Sequence, residues 1–386
     1  MKLHADQVRA VELICTAPIG IVTGGAGTGK TTCLRAALDR LEGEGRNVGL
    51  ASPTGKAAKR ITEATGREAL TIHRLLKWTP MGFCYHQNNP LHEDVVIVDE
   101  ASMVDIALMD RLLRAVQLPT RLVLMGDANQ LPSVGAGKVL ADLIRSERVP
   151  VVRLTKVQRS AAESWVCTQA PRVLEGREVD LTPRTDFRFI ECSTEDLSET
   201  AAAAIEVRGG RSDIQVLVPQ RTTDIGVAAL NALLQTRLND AERPAWKIGK
   251  RTLRVGDPVI HTVNDYELGV FNGETGTIIH VSKDVLVVDF EDREVEYARK
   301  TATALQLAYA LTIHKSQGSE WPWVAVVCHS AHSYMLSRQL LYTALTRARE
   351  GVVLIGDRKG LARAIKNRAA EQRRTELVEQ LQEGNE

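Results

Sequence analysis

Short apolar runs alternate with stretches of helical periodicity along most of this chain. In a helical stretch such as 30–42, apolar residues recur at helical spacing, whereas the runs between such stretches are short and almost uniformly apolar. The runs form an early and a late group, at residues 19–22, 48–51, 95–98 and 121–125, then 215–218, 324–327 and 352–355. Buried strands that alternate with helices are typical of parallel sheets. We therefore predict an α/β fold with two tandem lobes.

Two segments depart from this alternation. Between Leu253 and Tyr297 the pattern changes to short strands with turn signals such as Asn272-Gly273, which predicts a small inserted β-barrel. Residues 77–92 interrupt the first lobe just before a strand and predict a short β-hairpin insertion. The predicted boundaries are a first lobe at 1–152, a second lobe at 153–250 and 300–386, and a barrel at 251–299. The charged last thirty residues predict a solvated helix.

Composition excludes some classes of protein and leaves others open. The 386 residues, 44% of them hydrophobic, suffice for more than one core, and no apolar stretch is long enough for a membrane-spanning helix. The six cysteines are widely spread, without zinc-like or disulfide-like spacing. These features and the start of the chain, which has no secretory signal, predict a cytoplasmic protein without a membrane partner. The net charge of +1 gives no general attraction for nucleic acid.

The strongest chemical motif is a phosphate-binding loop at residues 24–31. It follows a buried strand and opens a helix, so its backbone N–H groups can surround phosphate oxygens at the positive end of that helix. Lys30 is predicted to contact the outer phosphates, and Thr31 to bind Mg²⁺. The residues predicted to bind ATP in this region are Gly25, Ala26, Gly27, Thr28, Gly29, Lys30, Thr31 and Thr32.

Later motifs add groups for hydrolysis. Asp99 and Glu100 end a buried strand, where Asp99 would hold Mg²⁺ and Glu100 would polarise the attacking water. Gln130 follows another strand, where it would sense the γ-phosphate. Arg159 and Arg347 are candidates to stabilise charge on the transferred phosphoryl group across a cleft between the lobes.

In their order and spacing, these motifs resemble those of the superfamily 1 helicases, and more closely the 5′-to-3′ branch of RecD-like and Dda-like proteins. The likeness adds Asp6-Gln7, residues 51–58, Thr71-Ile72-His73, residues 312–320 and residues 342–349. It implies two RecA-like P-loop NTPase lobes and a Src-homology-3-like barrel. It also implies that Gln7 reads adenine, and that Gly318 and Glu320 approach the nucleotide from the second lobe.

The same resemblance implies a channel for single-stranded DNA, without strong base preference, across both lobes. Tailed or forked duplexes would be further partners. The hairpin would separate strands, with Phe83 or Tyr85 as candidates to stack on the fork. The barrel or the C-terminal helix are candidate surfaces for protein partners. The residues implied to contact DNA are Pro53, Thr54, Lys56, His73, Thr312 and His314.

The sequence therefore predicts an ATP- and Mg²⁺-dependent DNA helicase that moves 5′ to 3′. Two alternatives stay open. One is a translocase that remodels protein–DNA or RNA complexes without processive unwinding, which the short hairpin permits. The other is an accessory binding subunit that uses ATP only as a switch, against which the intact Glu100 argues. The sequence does not separate replication, repair and recombination as the pathway.

Overall fold

The computed structural model describes residues 3–157, 163–207, 213–221, 225–265, 267–290, 293–369, 373 and 375–383. The chain forms two compact units. The first comprises Met1–Glu163 together with Arg368–Glu386, and the second comprises Ser164–Asn367.

The first unit is built on a six-stranded parallel sheet with the strand order β3-β2-β6-β7-β1-β8. Its elements up to β8 are α1 (Ala5–Thr16), β1 (Ile19–Gly24), α2 (Lys30–Gly43), β2 (Val48–Ser52), α3 (Gly55–Thr65), β3 (Ala69–Thr71), α4 (Ile72–Leu75), β4 (Trp78–Thr79), β5 (Gly82–Phe83), β6 (Val95–Val98), α5 (Ile106–Ala115), β7 (Arg121–Gly126), α6 (Val139–Ser146) and β8 (Val151–Leu154).

Burial on both faces explains why the central strand β6 is apolar at every position. In β6, Val95 and Ile97 pack in one core cluster with α1, α2 and α3, while Val96 and Val98 pack in a second cluster with α4, α5 and α6. A parallel strand covered by helices on both sides has no solvent-facing position for a polar residue. The layers are therefore helix, sheet and helix, and the carboxyl ends of the strands meet at one edge of the sheet.

A short hairpin interrupts this unit between α4 and β6. Strands β4 and β5 pair antiparallel, with Trp78 opposite Phe83. Phe83 and Tyr85 are partly buried and pack against the core, whereas Trp78 is 47% exposed and Met81, in the turn, is 97% exposed. The large apolar side chains that the hairpin exposes to solvent are thus Trp78 and Met81, rather than Phe83 and Tyr85.

The second unit contains a five-stranded parallel sheet with the order β18-β10-β19-β20-β9. The elements of this unit are α7 (Trp165–Glu175), β9 (Phe187–Glu191), α8 (Leu197–Val207), β10 (Ile214–Val218), α9 (Val227–Leu238), β11 (Ala245–Ile248), β12 (Arg251–Arg254), β13 (Pro258–His261), β14 (Thr275–Val281), β15 (Leu286–Asp289), β16 (Glu294–Tyr297), β17 (Leu305–Leu307), β18 (Ala310–Thr312), β19 (Trp321–Cys328), α10 (Arg338–Leu345), β20 (Ala348–Gly356) and α11 (Arg358–Lys366).

Between α9 and β18 lies the predicted small β-domain. An antiparallel sheet of order β16-β15-β14-β13-β17 and the hairpin β11-β12 enclose a core of their own. That core extends beyond the predicted range of 251–299, because it includes Trp246 and Leu305. Trp246 is fully buried, and its indole N–H donates to the carbonyl of Ser282 at 2.6 Å.

The C-terminal segment differs from its predicted position in the second lobe. Residues from Arg368 onward belong to the first unit, where the last helix, α12 (Leu377–Glu383), packs against α6. Val378 is buried in this contact, and α12 is therefore a packed helix rather than the solvated one expected from its charge. Within the described residues, none of the helices has the length and apolar character needed to cross a membrane.

Candidate functional site

The phosphate loop lies between β1 and α2, as the sequence predicts. Gly27 and Gly29 adopt left-handed backbone conformations, with φ of 72° and 86°, which L side chains rarely adopt. The ammonium group of Lys30 turns back over the loop and donates to the carbonyls of Gly24 at 2.6 Å and Gly25 at 3.2 Å. Thr31 is exposed in the first turn of α2. The loop therefore presents a cation and a hydroxyl at a helix N-terminus, where anions are stabilised.

Gln7 connects the first helix to this loop. Its side chain is buried; the amide Nε2 donates to the carbonyl of Thr28 at 3.3 Å, and Oε1 accepts from the backbone N–H of His4 at 3.0 Å. The neighbouring Asp6 accepts from the N–H groups of Gln7 and Thr155. Burial acts to raise the pKa of Asp6, but these backbone donors outweigh it and hold the pKa below its ordinary value. Asp6 therefore carries a negative charge that anchors α1 next to the end of β8.

Asp99 and Glu100 follow β6 at the same edge of the sheet. The strand order β6-β7-β1 separates them from the phosphate loop by one strand. The Asp99 carboxylate accepts the N–H of Glu100 at 2.8 Å, and Glu100 itself has a φ of 54°. A non-glycine residue in this left-handed region is strained, and such strain clusters at functional sites. The turn thus places two adjacent carboxylates directly after the end of one strand.

Gln130 follows β7, the strand between the acid pair and the loop. The preceding turn is held by Asp127, whose carboxylate accepts the N–H of Asn129 at 3.0 Å and whose carbonyl accepts the N–H of Gln130 at 3.2 Å. The side chain of Gln130 is 5% exposed, and its buried Oε1 has no hydrogen-bond partner in the part of the chain that the structure describes. Buried amide oxygens are normally paired, so this atom is available to accept a hydrogen bond from a bound ligand.

The predicted residues of the second unit also lie together. Arg347 is 2% exposed, and its guanidinium donates to the carbonyls of Thr343 at 3.2 Å and Ser319 at 3.1 Å. Ser319 lies between Gly318, with a φ of 73°, and the half-buried Glu320. Arg347 is therefore fixed against the segment that contains the other two predicted residues. Arg159, the second predicted arginine, lies outside the described residues.

The predicted DNA contacts of the first unit follow two neighbouring strands. Ser52 at the end of β2 is in register with Thr71 at the end of β3, so Pro53-Thr54 and His73 come at adjacent strand ends. Thr54 caps α3 by accepting the N–H of Ala57 at 3.3 Å, and Lys56 is half-buried. Burial lowers the pKa of His73, whose ring lies 5.8 Å from that of Phe83.

The second unit has a similar pair of strand ends. Val218 of β10 is in register with Thr312 of β18, and the hydroxyl of Thr312 accepts the N–H of Lys315 at 3.2 Å. Burial lowers the pKa of His314 below its usual value. Both predicted histidines are therefore neutral near pH 7, and their rings offer hydrogen bonds rather than charge.

Three family models match successive parts of the chain. An AAA domain matches residues 2–194, an ATP-dependent RecD-like DNA helicase SH3 domain matches residues 230–290, and a UvrD-like helicase C-terminal domain matches residues 307–355. The RecD subunit of the RecBCD enzyme from Mycobacterium tuberculosis is 34% identical over 412 residues, which is 94% of this chain and 71% of that protein. This chain belongs to the RecD-like helicase family.

A second RecD-like relative is longer than this chain. The ATP-dependent RecD2 DNA helicase of Deinococcus radiodurans is 39% identical over 379 residues, which cover 98% of this chain but 52% of the relative. The chain therefore spans about half of that protein.

Solved helicase structures share the fold. The Pif1 helicase of Bacteroides in complex with ADP-AlF3 and single-stranded DNA has a TM-score of 0.59 and 21% identity, with 92% of each chain covered. The Pif1 helicase of Candida albicans has a TM-score of 0.60 and 18% identity, with 98% of each chain covered. The predicted RecA-like α/β fold and the resemblance to RecD-like helicases are confirmed, as is the use of a nucleotide by this family.

The RecD-like architecture also reveals a residue that sequence reasoning left without a role. The family resemblance includes Asp6 only as the neighbour of Gln7. In the structure, its carboxylate accepts the N–H of Thr155 and so connects α1 to the residue after β8. In the sequence, the position of Asp6 next to Gln7 was the one feature that pointed to this residue. A contact between residues 149 positions apart has no local pattern from which it can be read.

Proposed function

We propose that this chain is the motor of an ATP-dependent DNA helicase that moves 5′ to 3′ along single-stranded DNA. The observation that carries this proposal is the position of the phosphate loop, the Asp99-Glu100 pair and Gln130 at one edge of one sheet, with the buried Oε1 of Gln130 lacking a partner among the described residues. A cradle for phosphates, two carboxylates and a buried free acceptor are the parts that NTP hydrolysis requires. Membership in the RecD-like family supports DNA and the 5′-to-3′ direction.

In this proposal, the adenine is read by Gln7 and the triphosphate is held by the loop residues Gly25–Thr32. Lys30 exchanges its bonds to the loop carbonyls for bonds to the β- and γ-phosphates. Glu100 orients and deprotonates the attacking water, while Gln130 senses the γ-phosphate. Arg159 and Arg347 stabilise charge on the transferred group, with Gly318 and Glu320 beside the nucleotide.

A Mg²⁺ ion is the further cofactor that we propose. Thr31 and Asp99 would hold it, Asp99 through water, and the nucleotide phosphates would complete its oxygen shell. A hydroxyl and one carboxylate suit this ion, because Mg²⁺ usually keeps several waters and takes few protein ligands. The described residues contain no group of three or more acidic, histidine or cysteine ligands, which fits a site completed by nucleotide rather than a protein-only cage. When bound, Mg²⁺ would neutralise charge on the phosphates.

The DNA strand would contact Pro53, Thr54, Lys56 and His73 in the first unit and Thr312 and His314 in the second. The neutral histidines and the capping hydroxyls suit contacts to sugar and phosphate that read no sequence. We further propose that the hairpin parts the duplex with Trp78 and Met81, the two apolar side chains that it exposes. Aromatic stacking on a base is favourable and tolerates any sequence.

A cytoplasmic location is also a proposal. It is supported by the free cysteines, which are Cys15, Cys33, Cys84, Cys167, Cys192 and Cys328. Protein partners through the β-domain stay a prediction. The C-terminal helix is a weaker candidate, because α12 packs against α6.

The test compares duplexes with 5′ or 3′ single-stranded tails, in DNA and in RNA, with wild-type protein and Glu100→Gln. We expect ATP turnover stimulated by single-stranded DNA and displacement from 5′-tailed DNA alone. ATP turnover indifferent to DNA would contradict a motor. Movement along DNA without displacement would favour the remodelling translocase, and equal activity of Glu100→Gln would favour the ATP switch.

A further inference from the structure

The loop at residues 133–137 has an unusual arrangement of its carbonyl groups. It joins the turn that carries Gln130 to the start of α6, and three of its carbonyl oxygens converge on one point. The terminal nitrogen Nη1 of Arg373 occupies that point, 2.8 Å from the carbonyl oxygens of Ser133, Gly135 and Gly137. We call this arrangement the carbonyl ring. Converging carbonyls favour a cation, and here the cation is a side chain of the same chain.

The sequence of the loop supports this conformation. Gly137 has a φ of 92°, which a side chain would oppose, and a Cβ at Gly135 would lie 2.1 Å from a carboxylate oxygen of Asp105. The hydroxyl of Ser133 donates to the carbonyls of Gly135 at 3.1 Å and Gly137 at 3.3 Å. Two glycines and one serine thus allow the backbone to curl tightly enough for its carbonyls to meet.

The outer side of the loop is held by the start of α5. The N–H of Ile106 donates to the carbonyl of Ala136 at 3.0 Å, and Asp105 caps α5 by accepting the N–H of Leu108 at 2.8 Å. Because α5 begins shortly after the Asp99-Glu100 pair, the loop lies between that pair's own segment and Arg373. The loop is therefore held by α5 through the carbonyl of Ala136 and by Arg373 through the carbonyl ring.

Arg373 belongs to a segment that is itself anchored on the first unit. We call Arg373 and residues 375–383 the strap. Its helix α12 packs against α6, and near its end the guanidinium of Arg148 donates to the carbonyl of Gln382 at 2.7 Å. Besides the packing of α12 on α6, the strap has a hydrogen-bonded contact at the carbonyl ring and another near its far end, and these two can be removed separately.

We propose that Arg373 is a positioning residue for ATP hydrolysis, which holds the carbonyl ring closed and thereby sets the position of Gln130. Only Leu131 and Pro132 separate Gln130 from Ser133, so an opened ring displaces the sensing amide. Without the guanidinium, three carbonyl dipoles face one another and repel. Small displacements of a positioned group reduce turnover strongly. This inference rests on the proposed function, since it assigns a role within the same nucleotide site.

The test uses the full chain with Arg373→Ala, Arg373→Lys and, as a matched control, Arg148→Ala. We expect Arg373→Ala to lower the kcat of DNA-stimulated ATP hydrolysis about tenfold, with the KM for ATP changed less than about twofold. Lysine should restore part of the loss, because its ammonium has three donors for the ring. Added guanidinium ion should also restore part of it, whereas Arg148→Ala should keep the wild-type kcat.

A second measurement does not depend on hydrolysis. Amide hydrogen exchange at residues 130–138 should become at least about tenfold faster in Arg373→Ala than in wild type or Arg148→Ala. Unchanged exchange and unchanged kcat would overturn the proposal, as would an equal loss of kcat in Arg148→Ala without rescue by guanidinium. If wild-type protein shows no DNA-stimulated hydrolysis, the proposed function fails, and the exchange measurement still decides whether Arg373 holds the loop.

Discussion

The candidate residues of the two α/β units differ in their hydrogen bonding, as Gln130 and Arg347 show. Among the described residues of the first unit, the buried amide oxygen of Gln130 has no hydrogen-bond partner, and the ammonium of Lys30 donates to two carbonyls of its own loop. In the second unit, the donors of Arg347 are bonded to carbonyls of Thr343 and Ser319. In the first unit, Gln130 and Lys30 can therefore form new hydrogen bonds to a ligand. In the second unit, Arg347 already uses its donors to hold the backbone of its own unit.

Because of this difference, substitutions at Gln130 and Arg347 should affect the stability of the protein to different degrees. A group with an unpaired atom contributes little to the folded state, so its removal should affect turnover alone. A buried guanidinium that donates to backbone carbonyls contributes to both, because its removal takes a hydrogen-bond donor from the Ser319 carbonyl. Substitutions in the two units should therefore give different combinations of kcat and melting temperature.

The largest effect is expected for Arg347→Ala. If Arg347 has the proposed role, loss of its charge next to the transferred phosphoryl group should lower kcat about 10³-fold. Loss of the donor to the Ser319 carbonyl should in addition cost about 1–3 kcal/mol of unfolding free energy, whereas the Thr343 carbonyl keeps the Thr346 hydroxyl as a donor. Steady-state ATP hydrolysis and thermal melting measure the two effects. Arg349→Ala is the matched control, since Arg349 is exposed two residues away; a normal kcat in Arg347→Ala would refute the assigned role.

Gln130→Ala should be the second largest change and should affect only turnover. We expect kcat to fall about 10²-fold, because one positioned polar group is lost from the reacting phosphate. The melting temperature should stay within about 2 °C of wild type, since the side-chain oxygen has no partner to lose among the residues that the structure describes. Asn129→Ala removes an exposed amide next to it and serves as control. A large loss of stability in Gln130→Ala would contradict the contrast with Arg347.

Trp78→Ala should reduce strand displacement about fivefold and leave DNA-stimulated ATP hydrolysis unchanged, because the stacking of one aromatic ring is lost. Displacement of a 5′-tailed duplex and ATP turnover are measured on the same preparation. Tyr334, 88% exposed in the second unit, provides a control substitution to alanine. Phe83→Ala should instead lower stability, because Phe83 packs against the core. Equal displacement by Trp78→Ala and wild type would remove the hairpin tip from the mechanism.

Asp142→Asn should have the smallest effect, an increase in stability. Asp142 is fully buried on α6; burial raises its pKa above the ordinary value of 3.8, although Thr375, Lys138 and Arg145 act in the opposite direction. A raised pKa means that folding favours the protonated carboxyl. The stabilisation from the protonated carboxyl is fully present below the pKa that Asp142 has in the unfolded chain. It is lost as the pH rises through the pKa of Asp142 in the folded protein.

At neutral pH the ionised Asp142 is therefore destabilising, and asparagine should relieve the cost. We expect a gain of about 1 kcal/mol at pH 7, which corresponds to roughly 2–4 °C in melting temperature. The gain should disappear below pH 3.8, where both proteins carry a neutral group. Melting curves between pH 3 and pH 8 provide the test, and a destabilising Asp142→Asn at pH 7 would show that Lys138 and Arg145 outweigh burial.

Local patterns were sufficient for much of the fold and of the nucleotide site. The apolar runs at 95–98 and 121–125 predicted strands that the structure contains as β6 and β7. The phosphate loop was recognisable because its glycines and Lys30 act through the backbone of one short segment. Each of these features depends on residues that are neighbours in sequence, so the sequence displays them directly.

Other features depend on which side of an element meets the core. The hairpin at 77–92 was predicted, but its exposed aromatic residue is Trp78 rather than Phe83 or Tyr85. In strands of two residues, no repeated alternation exists from which to read the buried face. The charge of residues 375–383 likewise indicated a solvated helix, although Val378 and its neighbours cover α6.

By itself, the sequence determined the two parallel α/β units, the inserted β-domain, the phosphate loop and the acid pair, because these follow from periodicity and from short motifs. Only the tertiary structure decided which polar atoms lack partners within the described parts of the chain, as at Gln130, and which distant residues complete a loop, as at Arg373. Arg373 contacts carbonyls 236, 238 and 240 positions away. Such contacts arise from packing of the whole unit. Every residue has a backbone carbonyl, so no sequence pattern shows which carbonyls a distant side chain will contact.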